Sequence, residues 1–141
     1  MNDELKQRLI EQYPEIFPSG KFPIEVGDGW YTLLDLLCQQ INFIADACGV
    51  SWVATRIKQK FGRLEVYLKP DEDEVKDVSE QVLNLAGSII FAVTNHAGGN
   101  STNYCEECGA VGDLSRKPSG FIQTLCEKCR KEVNAEVVDN F

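Results

Sequence analysis

Apolar residues recur with helical spacing in the first part of the chain. Leu5, Leu9 and Ile10 share one face of the segment 3–12, and Asn2 or Asp3 stands where the N-cap of a helix belongs. A second stripe, with steps of three and four residues, is formed by Leu34, Leu37, Ile41, Ile44 and Cys48. Gly49 follows it in the place of a C-terminal helix glycine, so we predict a second helix over about residues 31–47.

The period changes to two between residues 52 and 70, which is typical of strands. A turn near Lys60-Phe61-Gly62 divides this stretch into two runs, and the sequence therefore predicts a β-hairpin with one buried side. The positions expected on that side are Val53, Ile57, Leu64, Val66 and Leu68.

Helical spacing returns after the hairpin and extends to about Val93. The apolar positions of this third predicted helix are Val75, Val78, Val82, Leu85, Ala86, Ile89 and Ile90. The acidic run 71–80 precedes and overlaps it, and carboxylates favour a helix N-terminus. The alternative is that this run mimics a row of phosphates. The following stretch, NHAGGNSTN, has the composition of a linker.

The six cysteines divide into two groups. Cys38 and Cys48 fall within the apolar pattern of the second helix and are predicted to be core residues. The other four form two Cys-x-x-Cys pairs with 17 residues between them, a pattern typical of zinc ligands. We therefore predict one structural Zn²⁺, and a redox dithiol is the alternative; the expected ligands are Cys105, Cys108, Cys126 and Cys129.

The residues between and after the two pairs indicate how such a module folds. Gly109 allows a sharp turn past the metal, and Lys117-Pro118-Ser119-Gly120 is a turn sequence between two short strands. The stretch that begins at Cys126 is compatible with a helix. This order resembles treble-clef zinc fingers, and the cysteine spacing resembles GATA-type fingers and the finger of the DksA/TraR group of RNA-polymerase regulators.

Taken together, these elements predict an α+β fold with two units. Residues 1–100 are expected to place two or three helices on a small antiparallel hairpin sheet, and residues 101–141 to form the treble-clef-like zinc finger. Because two strands alone make a marginal sheet, a third strand is expected from Lys21–Val26 or from another subunit.

Charge and hydropathy restrict the classes of partner. The chain of 141 residues has a net charge of −8, which repels nucleic acid at long range. Residues 101–141 hold seven acidic against five basic side chains, and this disfavours a DNA-reading finger. No run of 18 apolar residues is present, and the first residues are polar, so we expect a cytoplasmic protein without a membrane partner.

One surface of the hairpin departs from this acidic character. If the predicted face is buried, the opposite face carries the binding candidates Trp52, Arg56, Lys58, Arg63 and Tyr67. Arginine pairs with phosphate and aromatic rings stack on bases, so a nucleotide or nucleic-acid strand is one candidate ligand. The alternatives are a solvated strand face, or a homo-oligomer in which this face contacts the acidic run of a second copy.

The order of three motifs carries a second resemblance. GDGWYTLLDLLC, VATRIKQKFGRLEVYL and a terminal pair of Cys-x-x-Cys motifs look like a group of small, largely uncharacterised phage and prophage proteins. This resemblance covers most of the chain beyond residue 25 and implies a bacterial cytoplasmic setting with an accessory role, such as host takeover or inhibition of host defence. Glu65 occupies a hairpin position where that group is expected to have a neutral or aromatic residue.

Catalytic patterns are not evident in the sequence. It has no Ser-His-Asp pattern, P-loop or dinucleotide fingerprint, and its single histidine, His96, lies in a glycine-rich stretch. We therefore expect a protein that is not an enzyme. Three hypotheses remain: a zinc-stabilised adaptor or inhibitor that binds a host or phage protein, a nucleotide or nucleic-acid binder, and a transcription regulator that contacts RNA polymerase.

Overall fold

The computed structural model describes residues 1–19 and 24–138. Helix α1 spans Asp3–Gln12, and the Asn2 side chain accepts a hydrogen bond from the Leu5 amide, as predicted for an N-cap. Helix α2 spans Tyr31–Cys48 and ends at Gly49, which adopts φ +77° and donates its amide to the Ala45 carbonyl. Both helices thus lie where the apolar pattern predicted them.

The hairpin is present and belongs to a three-stranded mixed sheet. Strand β2 (Trp52–Lys60) pairs antiparallel with β3 (Arg63–Pro70) through a two-residue turn in which Phe61 and Gly62 both have positive φ. Strand β1 (Ile24–Glu25) pairs parallel with β2, so a third strand exists, as expected, but the sheet is not purely antiparallel. The rest of the predicted third strand, residues 21–23, lies outside the described residues.

A β-bulge between Ala54 and Arg56 changes which side chains of β2 face the core. Beyond a bulge the alternation of the strand is shifted by one residue. Trp52 therefore shares the buried face with Ile57 and is 7% exposed, whereas Val53 is only half-buried. The prediction that Val53 faces inward and Trp52 outward was wrong for this reason, while Leu64, Val66 and Leu68 pack against the core as predicted.

Helix α3 differs most from the sequence prediction. It spans Glu80–Ser101, with the Ser79 side chain accepting a hydrogen bond from the Val82 amide, so it begins only at the last residue of the acidic run 71–80. Within that run, residues Glu74–Asp77 form a separate 3-10 helix. The prediction of a linker over residues 95–103 was wrong, because its Asn-His-Ala-Gly-Gly-Asn-Ser portion is helical.

The main core lies between the sheet and helices α1, α2 and α3. Among its fully buried side chains are Leu9, Trp30, Leu34, Leu37, Ile41, Ile57 and Leu64. Cys38 is buried in this core and Cys48 packs against it, as predicted. Burial raises the pKa of the Cys38 thiol to about 12, so this side chain is protonated and behaves as a small apolar residue.

The C-terminal part of the chain forms a second small unit around the four paired cysteines, which we call the cysteine module (residues 102–138). Its strands are β4 (Asp113–Arg116), β5 (Ile122–Leu125) and β6 (Glu136–Val137), in the order β5-β4-β6, and helix α4 spans Glu127–Glu132. Its buried apolar cluster is restricted to Cys105, Leu125 and Cys126, with Cys129 and Ala135 packed against them. So small a cluster needs another source of stability.

Candidate metal centre

The four paired cysteines converge on one point. The Sγ atoms of Cys105, Cys108, Cys126 and Cys129 all lie within 4.8 Å of one another, and those of Cys108 and Cys126 are 3.6 Å apart. Tetrahedral zinc with Zn–S bonds of about 2.3 Å separates its sulfur ligands by about 3.8 Å. The spacing of these thiols therefore fits a single metal ion, and no disulfide joins the six cysteines.

Tight backbone turns position both pairs. After Cys105, the amide of Gly109 donates to the Cys105 carbonyl at 2.9 Å, and the Cys105 amide donates to the Ala110 carbonyl at 2.7 Å. Gly109 adopts φ +83°, a conformation that suits glycine. Cys126 caps α4, and its Sγ accepts a hydrogen bond from the Cys129 amide at 3.4 Å. The turn after Cys105 thus brings the thiols of Cys105 and Cys108 to this centre, and the start of α4 brings those of Cys126 and Cys129.

The backbone also prepares one thiol for metal binding. The hydrogen bond from the Cys129 amide lowers the pKa of Cys126 to about 7, so a large fraction of this side chain is thiolate at neutral pH. Burial raises the pKa of Cys129, whose deprotonation therefore depends on a cation at the centre. Four thiolates would fill a tetrahedral shell, which is the arrangement of a structural site.

The DGW motif before α2 contacts the cysteine module directly. The amide of Gly29 donates to the Glu106 carbonyl at 2.7 Å, and the indole N–H of Trp30 donates to the Tyr104 carbonyl at 2.8 Å. A Cβ on Gly29 would lie 2.1 Å from the Cys105 carbonyl oxygen, so only glycine allows the two backbones to approach this closely. Trp30 is fully buried. The motif therefore joins the start of α2 to the first cysteine pair.

The hairpin turn provides a second contact with the module. Thr124 Oγ1 donates to the Gly62 carbonyl at 2.7 Å, and Gln59 Nε2 donates to the Ile122 carbonyl at 3.3 Å. A Cβ on Gly62 would lie 2.5 Å from Leu114 Cδ2. The Lys-Phe-Gly turn and the Gly-Asp-Gly-Trp segment thus both pack against the cysteine module.

A buried carboxylate lies within this contact, and sequence reasoning did not identify it. Glu106 is 5% exposed and accepts from the Gly27 amide at 3.0 Å and from Gln123 Nε2 at 3.1 Å. Burial raises its pKa, while both hydrogen bonds oppose that change. Between two cysteines, this glutamate looks like a solvated residue in the sequence, because nothing local reveals Gly27, which is 79 residues away.

The five predicted ligand-binding residues do not form one surface. Trp52 is buried, and its indole N–H has no hydrogen-bond partner among the described residues. Arg63 Nη2 donates to the Asn95 carbonyl at 2.9 Å and to Asn95 Oδ1 at 2.8 Å, which ties it to α3. The Tyr67 hydroxyl donates to the Glu65 carboxylate. The outward orientation predicted for Trp52 was therefore wrong.

Arg56 and Lys58 do lie on the outer face of the sheet. Arg56 is exposed and 4.0 Å from the Glu25 carboxylate, and Lys58 is half-buried next to Glu25 in the β1–β2 register. Exposed pairs of this kind contribute little to stability. The role of these residues in binding a nucleotide stays a prediction.

His96 lies on the exposed side of α3, where its Nε2 is 3.1 Å from Asn100 Nδ2, and it is not part of the four-cysteine cluster. We expect His96→Ala to leave the zinc content of the purified protein unchanged, because four thiolates already complete the coordination. Metal analysis of the variant beside the wild-type protein checks this. Loss of zinc would show that the ligand set is different.

No family model, curated protein or solved structure matches this chain. Among the helices of the described residues, none combines the length and the apolar character needed to cross a membrane.

Proposed function

We propose that this protein is a zinc-stabilised, non-enzymatic protein that acts by binding another protein. The observation that carries the zinc assignment is the convergence of four thiols within 4.8 Å. An all-cysteine donor set favours zinc over oxygen-preferring cations, and a filled tetrahedral shell leaves no position for a catalytic water. The metal then replaces the hydrophobic core that a treble-clef-like module of this size lacks.

A binding function rather than catalysis is supported by the roles of two buried ionisable side chains. The buried Glu106 is held by Gly27 and Gln123 at the contact between the module and the DGW motif, and the buried Cys38 is protonated. The phage or prophage setting, and an accessory role toward a host or phage protein, rest on the resemblance of the sequence motifs. A nucleic-acid ligand is less favoured, because Arg63 and Tyr67 are engaged within the protein and the net charge is −8.

The test uses the zinc-loaded protein as bait for bacterial and phage-infected lysates, followed by reconstitution with each purified candidate. A stoichiometric complex with one protein supports the proposal. In parallel, binding to single-stranded oligothymidylate is measured as salt increases from about 50 to 200 mM. Affinity for the oligonucleotide that falls steeply with salt, without a protein complex, would contradict the proposal and favour the nucleic-acid alternative.

A further inference from the structure

Strand β3 is the edge of its sheet in the described part of the chain. In its register with β2, Lys60 lies opposite Arg63 across the turn, so the backbone groups of Leu64, Val66 and Leu68 point away from β2. The amide of Leu64 is satisfied by Ser101 Oγ at 2.8 Å. The N–H and C=O groups of Val66 and Leu68 have no such partner among the described residues and face outward, as on a strand that can still accept a neighbour.

A groove runs along this open edge. It has a volume of about 460 Å³ and lies between β3, residues 63–68, and one side of α3. The α3 residues that line it are Gly87, Ile90, Phe91, Thr94 and Asn95, and Trp52 contributes from the neighbouring strand. Phe91 is 71% exposed at this position, so the groove combines unpaired backbone groups with an exposed apolar wall.

Gly87 leaves space in the side of the groove that α3 forms. A Cβ at this position would lie 3.6 Å from Trp52 Cη2, which is an ordinary contact. Alanine would therefore fit and would favour the helix more than glycine does. The described packing therefore does not require glycine at this position. The absence of a side chain on Gly87 widens the groove between α3 and β3.

The charge around the groove indicates what kind of segment fits. The outer face of β2 and β3 carries one carboxylate, Glu65, and four cations, which are Arg56, Lys58, Lys60 and Lys69, while the guanidinium of the neighbouring Arg63 is bonded to Asn95 of α3. Arg56 and Lys69 lie 4.0 Å and 3.8 Å from the carboxylates of Glu25 and Glu72, in exposed pairs that contribute little to stability. The whole chain has a net charge of −8, so this face is a local exception. Side chains of a strand added beside β3 would alternate between this cationic face and the apolar groove.

We propose that the groove between β3 and α3 receives an extended segment of a partner protein, with alternating apolar and acidic residues, as an additional strand on β3. The inference rests on the proposed protein-binding function and names the surface and the kind of segment that it recognises. Backbone hydrogen bonds to Val66 and Leu68 align the segment, apolar side chains contact Phe91 and Ile90, and acidic side chains face the cations of the sheet.

The experiment measures binding of fluorescent, end-capped peptides to the zinc-loaded protein by anisotropy. We expect a peptide of alternating glutamate and valine to bind at least about tenfold more tightly than one of alternating lysine and valine. N-methylation of the amides along one edge of the glutamate peptide should abolish binding, and N-methylation along the other edge should not. Equal binding of the acidic and basic peptides, or of the two methylated forms, would overturn the proposal.

Protein variants locate the binding site. Gly87→Leu places a side chain in the groove and is expected to weaken binding of the glutamate peptide at least about tenfold. Ser88→Leu adds the same side chain at an exposed position of α3 and serves as the matched control. Val66→Pro removes an outward amide from an edge strand, a position that tolerates proline, and is expected to weaken binding similarly. Zinc content and circular dichroism verify that each variant is folded.

Two outcomes separate this inference from the function on which it rests. If a purified protein partner binds the wild-type protein and Gly87→Leu equally well, the groove assignment is wrong and the protein-binding function stands. If sedimentation shows a dimer that Gly87→Leu dissociates, the occupant is a second copy and the proposal is also wrong. Loss of partner binding in Gly87→Leu and Val66→Pro, with retention in Ser88→Leu, supports both the protein-binding function and the assignment of the groove as the binding site.

Discussion

Cys126→Ser is expected to abolish tight zinc binding and to unfold the cysteine module. The pKa of the Cys126 thiol is lowered to about 7, and its Sγ accepts a hydrogen bond from the amide of Cys129 at the start of α4. In zinc-finger peptides the metal contributes about 10–16 kcal/mol of apparent binding free energy, which is also their folding free energy. The apolar cluster of the module, formed around Cys105, Leu125 and Cys126, is too small to replace that contribution.

Metal analysis after gel filtration and thermal unfolding provide the measurements. The wild-type protein should hold one Zn²⁺ per chain and lose cooperative unfolding of the module when a strong chelator removes it. Cys48→Ser is the matched control, because Cys48 lies against the main core and outside the cluster, so this variant should retain its zinc. Unchanged zinc content in Cys126→Ser would refute the four-cysteine site.

Local sequence patterns were sufficient to predict helices α1 and α2 and the convergence of the four paired cysteines. Each depends on interactions within a few residues: the Asn2 cap, the left-handed Gly49, and the turns that bring two thiols of a Cys-x-x-Cys pair together. The two pairs are then brought together by the short hairpin of β4 and β5. These features could be read from spacing because tertiary contacts reinforce the local preference.

The orientation of Trp52 could not be predicted, because it depends on one extra residue in β2. The bulge between Ala54 and Arg56 shifts the alternation, and no glycine or proline marks it in the sequence. The tryptophan, which would be a stacking platform on the outer face, becomes part of the core instead. A binding site inferred from strand alternation is therefore sensitive to a single irregular residue.

The glycines of α3 led to the incorrect prediction of a linker for a different reason. Gly98 and Gly99 have the composition of a linker, but a Cβ on Gly98 would lie 2.8 Å from the Leu64 carbonyl oxygen. This glycine lets the helix approach β3 closely, and the helix continues to Ser101, whose Oγ accepts the Leu64 amide. Its low helix propensity is offset by packing that only the folded chain provides.

Gly29→Ala is expected to lower the stability of the whole protein by about 3 kcal/mol, because its methyl group would overlap the backbone against which Gly29 packs. The new Cβ would lie 2.1 Å from the Cys105 carbonyl oxygen and 2.4 Å from the Gly109 amide nitrogen. Relief of this overlap requires separation of the DGW motif from the cysteine module, which also breaks the Gly29–Glu106 and Trp30–Tyr104 hydrogen bonds.

Thermal unfolding of the zinc-loaded protein measures this effect, and a decrease in Tm of about 10 °C is expected at this chain length. Gly99→Ala is the matched control: the same methyl group would lie 3.7 Å from Arg63 Nη1, so its stability should be unchanged or slightly higher. Zinc competition with a chromophoric chelator should show weaker metal binding in Gly29→Ala alone, because Gly29 contacts the backbone of the first cysteine pair. Equal Tm values for the two variants would mean that the DGW motif does not hold the module in place, and that the metal centre folds independently of the rest of the chain.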